Sequence, residues 1–221
     1  MFKLCIFDLD GTVLDTLHSI ATFGNGALRE NGLPAVEEEK YRYFAGYGAW
    51  ELVRRMLDFL GCYSEELHER VFASYIRDYH ADATAGARHF EGLPEVLERL
   101  SAEGITLAIV SNKPDVATQH TVSVLFREGL FSHVQGAQEN VPLKPDPTAT
   151  LAVMKSYGVT ADECAFIGDT STDIDTAKRA GVTAVGVLWG FRDRDELAAH
   201  GADALCETPE ELCRVLLGRR S

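Results

Sequence analysis

The stretch KLCIFDLDGT at residues 3–12 joins an apolar run to two aspartates and a glycine. Residues 3–7 are typical of a strand that is buried on both faces. Asp8 and Asp10 follow directly, and their spacing on an extended backbone places both carboxylates on the same side. Gly11 permits a sharp turn after them. An ordinary Asp/Gly turn has the same pattern, so the interpretation depends on what else lies at this strand end.

Short apolar runs recur after about residue 92 and alternate with segments of helical spacing. The runs that we predict to be strands are residues 105–110, 133–137, 164–167, 183–187 and, more weakly, 204–206. Strands that alternate with helices predict a doubly wound α/β fold with a parallel, Rossmann-like sheet. In such folds ligands bind beyond the carboxyl ends of the strands. The motifs at those ends are therefore the candidates for functional residues.

A segment without strand character interrupts this alternation between residues 16 and 88. Its apolar residues have helical spacing, as in Leu52, Met56 and Leu60. We therefore expect an all-helical cap domain at residues 16–88, inserted into a core domain formed by residues 1–15 and 89–221. The two chain crossings would form a hinge and place the cap over the strand ends.

The composition excludes several classes of partner. The chain has 221 residues, with 21 Lys and Arg against 34 Asp and Glu, and a formal net charge of −13. Nucleic acid and anionic membranes repel such a protein, so we expect neither as a partner. No run approaches the roughly 18 apolar residues of a membrane span. The five cysteines include no Cys-Xaa-Xaa-Cys pair, which predicts reduced thiols in a cytoplasmic protein.

A second acidic motif, IGDTSTD at residues 167–173, follows another predicted strand and precedes a helical pattern. Asp169 and Asp173 could both reach the strand end, although Asp173 alone would also suit the first turn of a helix. Together with Asp8 and Asp10 they would bring four carboxylates to one edge of the sheet. Their mutual repulsion predicts a bound cation, and octahedral oxygen coordination is typical of Mg²⁺.

Two further polar segments lie in the predicted core. Ser111 and Asn112, with backbone N–H groups beside them, suit phosphate oxygens, but either residue would also serve as an ordinary helix N-cap. Lys144 lies in LKPDP at residues 143–147, where two prolines restrict the backbone. Most surface lysines have no functional role. Lys144 is singled out because an acidic site in the same chain needs a fixed cation.

The ordered set of four motifs resembles the haloacid dehalogenase superfamily, in its aspartate-nucleophile phosphatase branch. The set comprises Asp8-Leu-Asp10-Gly-Thr12, Ser111-Asn112, Lys144-Pro145 and Gly168-Asp169-Thr-Ser-Thr-Asp173. The resemblance covers essentially the whole chain, including the inserted cap. Stretches that are similar to the phosphoglycolate phosphatase group are residues 44–48, 173–181, 186–191 and 201–203.

This resemblance implies a mechanism. Asp8 would attack phosphorus and form an aspartyl phosphate, which divides the hydrolysis into two steps. Asp10 would protonate the leaving alcohol and later activate water. Ser111 and the Asn112 backbone would hold the transferring phosphoryl group, and Lys144 would offset charge on it and on Asp8.

The resemblance also implies the residues that bind ligands. Mg²⁺ would be held by the Asp8 carboxylate, the Asp10 backbone carbonyl and Asp169, with Asp173 acting through water or from the surrounding shell. Thr12, next to the first motif's aspartates, is expected to contact the substrate.

The cap segment Gly46-Tyr47-Gly48 is a candidate substrate-binding loop. Two glycines that flank an aromatic residue allow the backbone to approach a small ligand closely. A plain turn leading into a helix over residues 49–60 explains the same sequence equally well.

The implied function is Mg²⁺-dependent hydrolysis of a small phosphorylated metabolite, with 2-phosphoglycolate as the first candidate. A phosphosugar mutase of the β-phosphoglucomutase kind, a pyrophosphatase and a 5′-nucleotidase are alternatives within the same superfamily. Dehalogenation is disfavoured because it needs no metal. The non-enzymatic alternative, a phospho-aspartate signalling module, is normally a shorter single domain without such an insertion. The expected assembly is a monomer or a homodimer.

Overall fold

The computed structural model describes residues 2–218. Its strands are β1 (Leu4–Phe7), β2 (Leu14–Asp15), β3 (Arg88–His89), β4 (Thr106–Pro114), β5 (His133–Ala137), β6 (Cys164–Gly168), β7 (Thr183–Val187) and β8 (Ala204–Cys206). Six of them form one parallel sheet in the order β5-β4-β1-β6-β7-β8. The other two, β2 and β3, pair antiparallel in a separate ribbon.

Helices cover this sheet and form the insertion. They are α1 (Leu17–Glu30), α2 (Tyr41–Phe44), α3 (Ala49–Phe59), α4 (Glu65–Ala81), α5 (Leu93–Ala102), α6 (Asp115–Leu125), α7 (Thr148–Tyr157), α8 (Ser171–Ala180), α9 (Arg194–Ala199) and α10 (Pro209–Leu216). Short 3₁₀ turns lie at Glu38–Lys40 and Ala161–Glu163. Within residues 2–218, none of the helices combines the length and apolar character that crossing a lipid bilayer requires.

Both faces of the parallel sheet are buried. Along β1, Cys5 and Phe7 belong to the apolar cluster that includes α5 and α10, whereas Leu4 and Ile6 belong to the cluster with α7 and α8. All four side chains are fully buried. Burial on both faces explains why the strand is a continuous apolar run without polar alternation. The predicted doubly wound parallel α/β fold is confirmed.

The register of the sheet aligns the strand ends that carry the motifs. Phe7, the last residue of β1, pairs with Ile109 of β4 and with Ile167 of β6. The residues beyond these three positions carry the first, second and fourth sequence motifs. Because the strands are parallel and in register, the three motifs lie at the same edge of the sheet.

Strand β4 is longer than the sequence pattern predicted. It continues past Val110 to Pro114, and its register against β5 shifts between these two residues. Such an irregularity changes the direction of side chains near a strand end. Ser111 and Asn112 are consequently buried strand residues, and the alternative interpretation of them as helix N-caps is wrong. Helix α6 begins only at Asp115.

The insertion between β2 and β3 contains helices and no strand. Helices α1, α3 and α4 pack around their own apolar cluster, which includes Leu28, Val53 and Val71. The all-helical cap is therefore confirmed, while its exact limits at residues 16 and 88 stay a prediction. The strands β2 and β3 pair where the chain leaves and re-enters the core, so the two crossings form one short ribbon.

Burial divides the cysteines into two groups. None of the five forms a disulfide within residues 2–218; Cys5, Cys164, Cys206 and Cys213 are buried, whereas Cys62 in the cap is half-buried. Burial raises the pKa of Cys164 to about 12 and contributes most to raising the pKa of Cys206 to about 11. Reaction with disulfide reagents requires the thiolate, so these buried thiols should react slowly in the folded protein.

We therefore expect a thiol-reactive disulfide dye to modify about one cysteine per chain in the native protein, and all five after unfolding in denaturant. The Cys62→Ser variant should lose the rapid reaction and leave the slow ones unchanged. Rapid native reaction of two or more thiols would show that the buried cysteines are accessible, and would contradict this arrangement.

Candidate active site

Three buried carboxylates meet where β1 and β6 end. Asp8 follows β1, Asp169 follows β6 and Asp173 lies in the first turn of α8. One carboxylate oxygen from each lies within 4.8 Å of the others. None of the three residues is more than 5% exposed. The first and fourth sequence motifs thus form one cluster.

The ammonium of Lys144 lies inside this cluster. Its Nζ is 2.7 Å from Asp173 Oδ1 and 2.9 Å from Asp8 Oδ1. Burial alone would lower the pKa of Lys144, but the charges of Asp173 and Asp8 reverse this effect and raise it. The side chain therefore stays cationic and links the two carboxylates.

The side chain of Asn112 positions Lys144. The Lys144 backbone N–H donates to Asn112 Oδ1 over 2.8 Å, and Asn112 Nδ2 donates to the Lys144 carbonyl over 3.0 Å. The same Nδ2 also donates to the carbonyl of Gly46 in the cap, over 3.0 Å. The resemblance assigned a role only to the Asn112 backbone, whereas the structure shows that its side chain joins the second and third motifs to the cap.

One ammonium does not balance three buried carboxylates. Burial raises the pKa of Asp8 to about 6; Lys144 partly offsets this effect, and the charge of Asp173 adds to it. Burial and the charges of Asp173 and Asp8 raise the pKa of Asp169 to about 8. The contact of Asp8 Oδ1 with Lys144 lies outside hydrogen-bond geometry, so this buried oxygen receives no hydrogen bond from the described residues. An all-oxygen donor set with excess negative charge fits a hard divalent cation such as Mg²⁺.

Two hydrogen bonds fix the orientation of Asp169. Thr12 Oγ1 donates to Asp169 Oδ1 over 2.7 Å, and the backbone N–H of Phe191 donates to Oδ2 over 2.7 Å. Gly11 has φ of 83°, and a Cβ at this position would collide with the Asp169 carboxylate. The glycine of the first motif is therefore required both for its turn and for the space it leaves. The Thr12 hydroxyl, expected to contact the substrate, is directed to Asp169.

Asp173 serves as a helix cap and as an ion-pair partner at once. Its Oδ2 accepts hydrogen bonds from the backbone N–H of Thr170 over 3.0 Å and from Thr170 Oγ1 over 2.8 Å. Its Oδ1 accepts from Lys144. The sequence left open whether Asp173 caps a helix or faces the site, and the structure shows that the two oxygens divide these roles.

A cavity of about 440 Å³, part of which is open to solvent, separates this edge of the sheet from the cap. The core contributes Asp8, Asp10, Ser111, Asn112, Lys113 and Pro114, and the cap contributes Ile20, Ala45, Gly46, Gly48, Ala49, Leu52, Tyr75 and Tyr79.

The cap loop meets this cavity through its two glycines. Gly46 and Gly48 line it, whereas the Tyr47 ring packs against the guanidinium of Arg55, whose carbon is 3.9 Å from the ring centroid. The proposed substrate contact of Tyr47 stays a prediction, and in this structure the residue does not line the cavity.

An ion pair that sequence reasoning missed lies on the cavity wall. Lys113 Nζ is 2.9 Å from Asp10 Oδ1 and also donates to the hydroxyl of Tyr79 in the cap. The Lys113 side chain is completely buried, while that of Asp10 is 16% exposed. In the sequence Lys113 follows Ser111-Asn112 directly, but the pattern there predicts only the start of a helix. The extension of β4 directs Lys113 into the site instead.

Residues 190–192 connect Asp169 to the cap. Arg192 donates to the carbonyls of Arg42 and Ala45, the latter over 3.1 Å, and Arg42 in turn donates to the carbonyl of Gly190 over 2.7 Å. The intervening Phe191 is the backbone donor to Asp169. No local pattern in the sequence marked Arg192, because its partners are backbone carbonyls distant in the chain.

Residues 5–187 match the model of the haloacid dehalogenase-like hydrolase family. A phosphoglycolate phosphatase of Vibrio parahaemolyticus is 32% identical over 223 residues, covering 97% of this chain and 96% of that protein. One of Pseudomonas savastanoi pv. phaseolicola is 34% identical over 211 residues, covering 94% and 74%.

The fold comparison agrees with these relatives. A crystal structure from Lactobacillus delbrueckii subsp. bulgaricus, described as a candidate phosphoglycolate phosphatase, superposes with a TM-score of 0.93 at 31% identity and covers 99% of both chains. These likenesses confirm the resemblance to the phosphoglycolate phosphatase group and the prediction of an enzyme of the phosphatase class. The chain belongs to the haloacid dehalogenase-like hydrolase family.

Proposed function

We propose that the protein hydrolyses a small phosphomonoester through an aspartyl phosphate on Asp8, with Mg²⁺ as cofactor and 2-phosphoglycolate as the first candidate substrate. The observation that carries the proposal is the buried Asp8 carboxylate, which faces the cavity and lies beside Lys144 within the acidic cluster. The names of the relatives support the choice of substrate. The free, mostly buried thiols favour a reducing compartment such as the cytoplasm.

Asp8 supplies the nucleophile. A carboxylate oxygen attacks phosphorus, the bond from phosphorus to the alcohol oxygen breaks, and the phosphoryl group is transferred to Asp8. The ion pair with Lys144 holds the carboxylate at the end of β1. The ammonium also offsets the negative charge that the incoming phosphoryl group brings into a buried, acidic site.

Asp10 acts as the general acid and then as the general base. It lines the cavity two residues beyond Asp8, where it can give a proton to the departing alcohol oxygen. In the second step it takes a proton from the water that attacks the phosphorus of the aspartyl phosphate. That attack breaks the bond between phosphorus and the Asp8 oxygen, releases inorganic phosphate and restores both carboxyl groups.

Ser111 is suited to hold the phosphoryl oxygens. Its hydroxyl oxygen accepts a hydrogen bond from the backbone N–H of Lys113 over 3.3 Å, and its own O–H lies within hydrogen-bond reach of Asp8, the position to which the phosphoryl group is transferred. Ser111 and Asn112 line the cavity beside Asp8. Hydrogen bonds directed at the transferring group stabilise the charge that spreads over its oxygens.

Asp8, Asp169 and the Asp10 carbonyl would hold Mg²⁺, with Asp173 kept further out by its bonds to Lys144 and Thr170. The ion would neutralise phosphoryl charge and orient the group for in-line attack. The excess of negative charge in the cluster supports this assignment, and it explains how an acidic protein can take an anionic substrate.

One prediction of this proposal concerns the reaction. In the presence of Mg²⁺ we expect the protein to release phosphate from 2-phosphoglycolate faster than from p-nitrophenyl phosphate, nucleoside monophosphates, pyrophosphate or sugar phosphates. Asp8→Asn removes the nucleophile and should lower turnover more than about 10³-fold, with an unchanged circular dichroism spectrum. Steady-state phosphate release measures both effects.

Asp58→Asn, the same chemical change on the exposed surface of α3, is the control and should retain full activity. Full activity of Asp8→Asn would refute the nucleophile assignment. Activity that appears only when a sugar bisphosphate is added would indicate a phosphosugar mutase instead of a hydrolase.

Another prediction of this proposal concerns the cation and needs no turnover. A ligand that binds only the folded state at about 100 times its Kd stabilises a protein by about 2.7 kcal/mol, which for a chain of this size raises Tm by about 5–10 °C. We expect Mg²⁺ to produce such a rise in the wild type and in Asp58→Asn. Asp169→Asn removes a carboxylate of the cluster and should reduce the rise by more than half; an undiminished rise would place the cation elsewhere.

A further inference from the structure

Lys113 is the one cation among the described residues that line the cavity, whose other charged members are Asp8 and Asp10. It lies on the wall that combines core and cap, since Tyr79 of α4 accepts a hydrogen bond from it. The mechanism proposed above assigns no task to this ammonium. A completely buried charge needs anionic partners, and the structure provides one, Asp10.

Lys113 has one N–H donor available for a second anionic partner. An ammonium has three N–H donors. Asp10 Oδ1 and the Tyr79 hydroxyl accept two of them, and no third acceptor is found among the residues that the structure describes. The Tyr79 hydroxyl accepts from Lys113 and so keeps its own hydrogen for donation. Burial and the charge of Asp10 raise the pKa of Tyr79, which keeps that hydrogen in place.

Helix α3 presents a second feature that favours an anion. Its N-cap is Gly48, which has no side chain to bond the first N–H groups, and no side-chain cap is present. Gly48 and the first helical residue, Ala49, both line the cavity. Free N–H groups and the positive end of the helix dipole therefore lie at the same cavity as Lys113.

We propose that Lys113, Tyr79 and the start of α3 form the part of the cavity that binds a carboxylate on the leaving alcohol. This inference rests on the proposed function and adds the residues that select the leaving group. A dianionic second phosphate would place more negative charge beside Asp10 than a monoanionic carboxylate does, so the site favours a phosphorylated hydroxy acid over a sugar bisphosphate.

The position of Asp10 limits the length of the alcohol. Its Oδ1 lies 2.9 Å from the Lys113 nitrogen, and in the proposed mechanism Asp10 delivers a proton to the leaving oxygen. A carboxylate bound to Lys113 must therefore lie close to that oxygen, as it does when one carbon separates the two groups. Ile20, Ala45 and Leu52 supply apolar wall on the cap side, which strengthens the charge interaction by excluding water.

The test compares kcat/KM for 2-phosphoglycolate with that for ethyl phosphate, which has the same length and a methyl group in place of the carboxylate. We expect the wild type to prefer 2-phosphoglycolate about 100-fold, the usual scale of a charge-assisted hydrogen bond made in a buried site. Lys113→Met should reduce this ratio to below about 5. Lys113→Arg, which keeps the charge, should retain a ratio above about 20.

Lys155→Met makes the same change of charge and side chain on the exposed surface of α7, and its ratio should equal that of the wild type. Tyr79→Phe, which removes only the hydroxyl, should lower the ratio about threefold to tenfold; together with the wild-type ratio it provides a test even if Lys113→Met does not fold. A wild-type ratio near 1 would overturn the proposal.

Equal losses for both substrates in Lys113→Met would also overturn it, because Lys113 would then act only by positioning Asp10. Turnover of p-nitrophenyl phosphate without turnover of 2-phosphoglycolate would refute it as well. These outcomes leave the phosphatase proposal intact as long as phosphate release is abolished in Asp8→Asn. If the wild type releases phosphate from no ester, or if Asp8→Asn is as active as the wild type, the proposed function itself is wrong.

Discussion

The buried ammonium of Lys144 is the constraint on which the site depends. It joins carboxylates that reach it from β1 and from α8, and without it the cluster of Asp8, Asp169 and Asp173 would have no cation in contact with it among the described residues. Removal of one partner from a buried ion pair typically costs about 3–5 kcal/mol, because the other charges stay buried without compensation. The position of Lys144 in turn depends on the Asn112 side chain. The four sequence motifs therefore form one electrostatic unit, although they are distant in the chain.

Most of the core was predictable because its strands are buried on both faces. A continuous apolar run such as residues 164–167 has few alternatives to a buried strand when turn residues flank it. The carboxylates of Asp8 and Asp169 follow such runs, and parallel strands in register bring their ends together. Knowledge of the strand order was not needed to expect an acidic cluster at that edge, and the resemblance then assigned roles within it.

The parts that could not be predicted depend on tertiary contacts. Lys113 reaches the cavity because β4 continues through a register shift, which no local propensity encodes. Arg192 matters because its guanidinium finds backbone carbonyls of the cap. The glycines that flank Tyr47 predicted a binding residue, but its ring packs against Arg55 and does not line the cavity. The partners of Lys113 and Arg192 in these contacts are remote in sequence, so periodicity and spacing carry no information about them.

The two walls of the cavity belong to separate apolar cores. Leu52 and Ile20 pack in the cap cluster, whereas the strands that carry Asp8 pack in the clusters of the sheet. Substitutions at sites without shared partners usually have additive effects on stability. Substitutions on the cap wall can therefore change leaving-group selectivity with little effect on the stability of the strands that carry Asp8. Directed evolution of new substrates has its natural targets on this helical side, whereas Lys113, which bonds to Asp10, ties part of the selectivity to the strand-end chemistry.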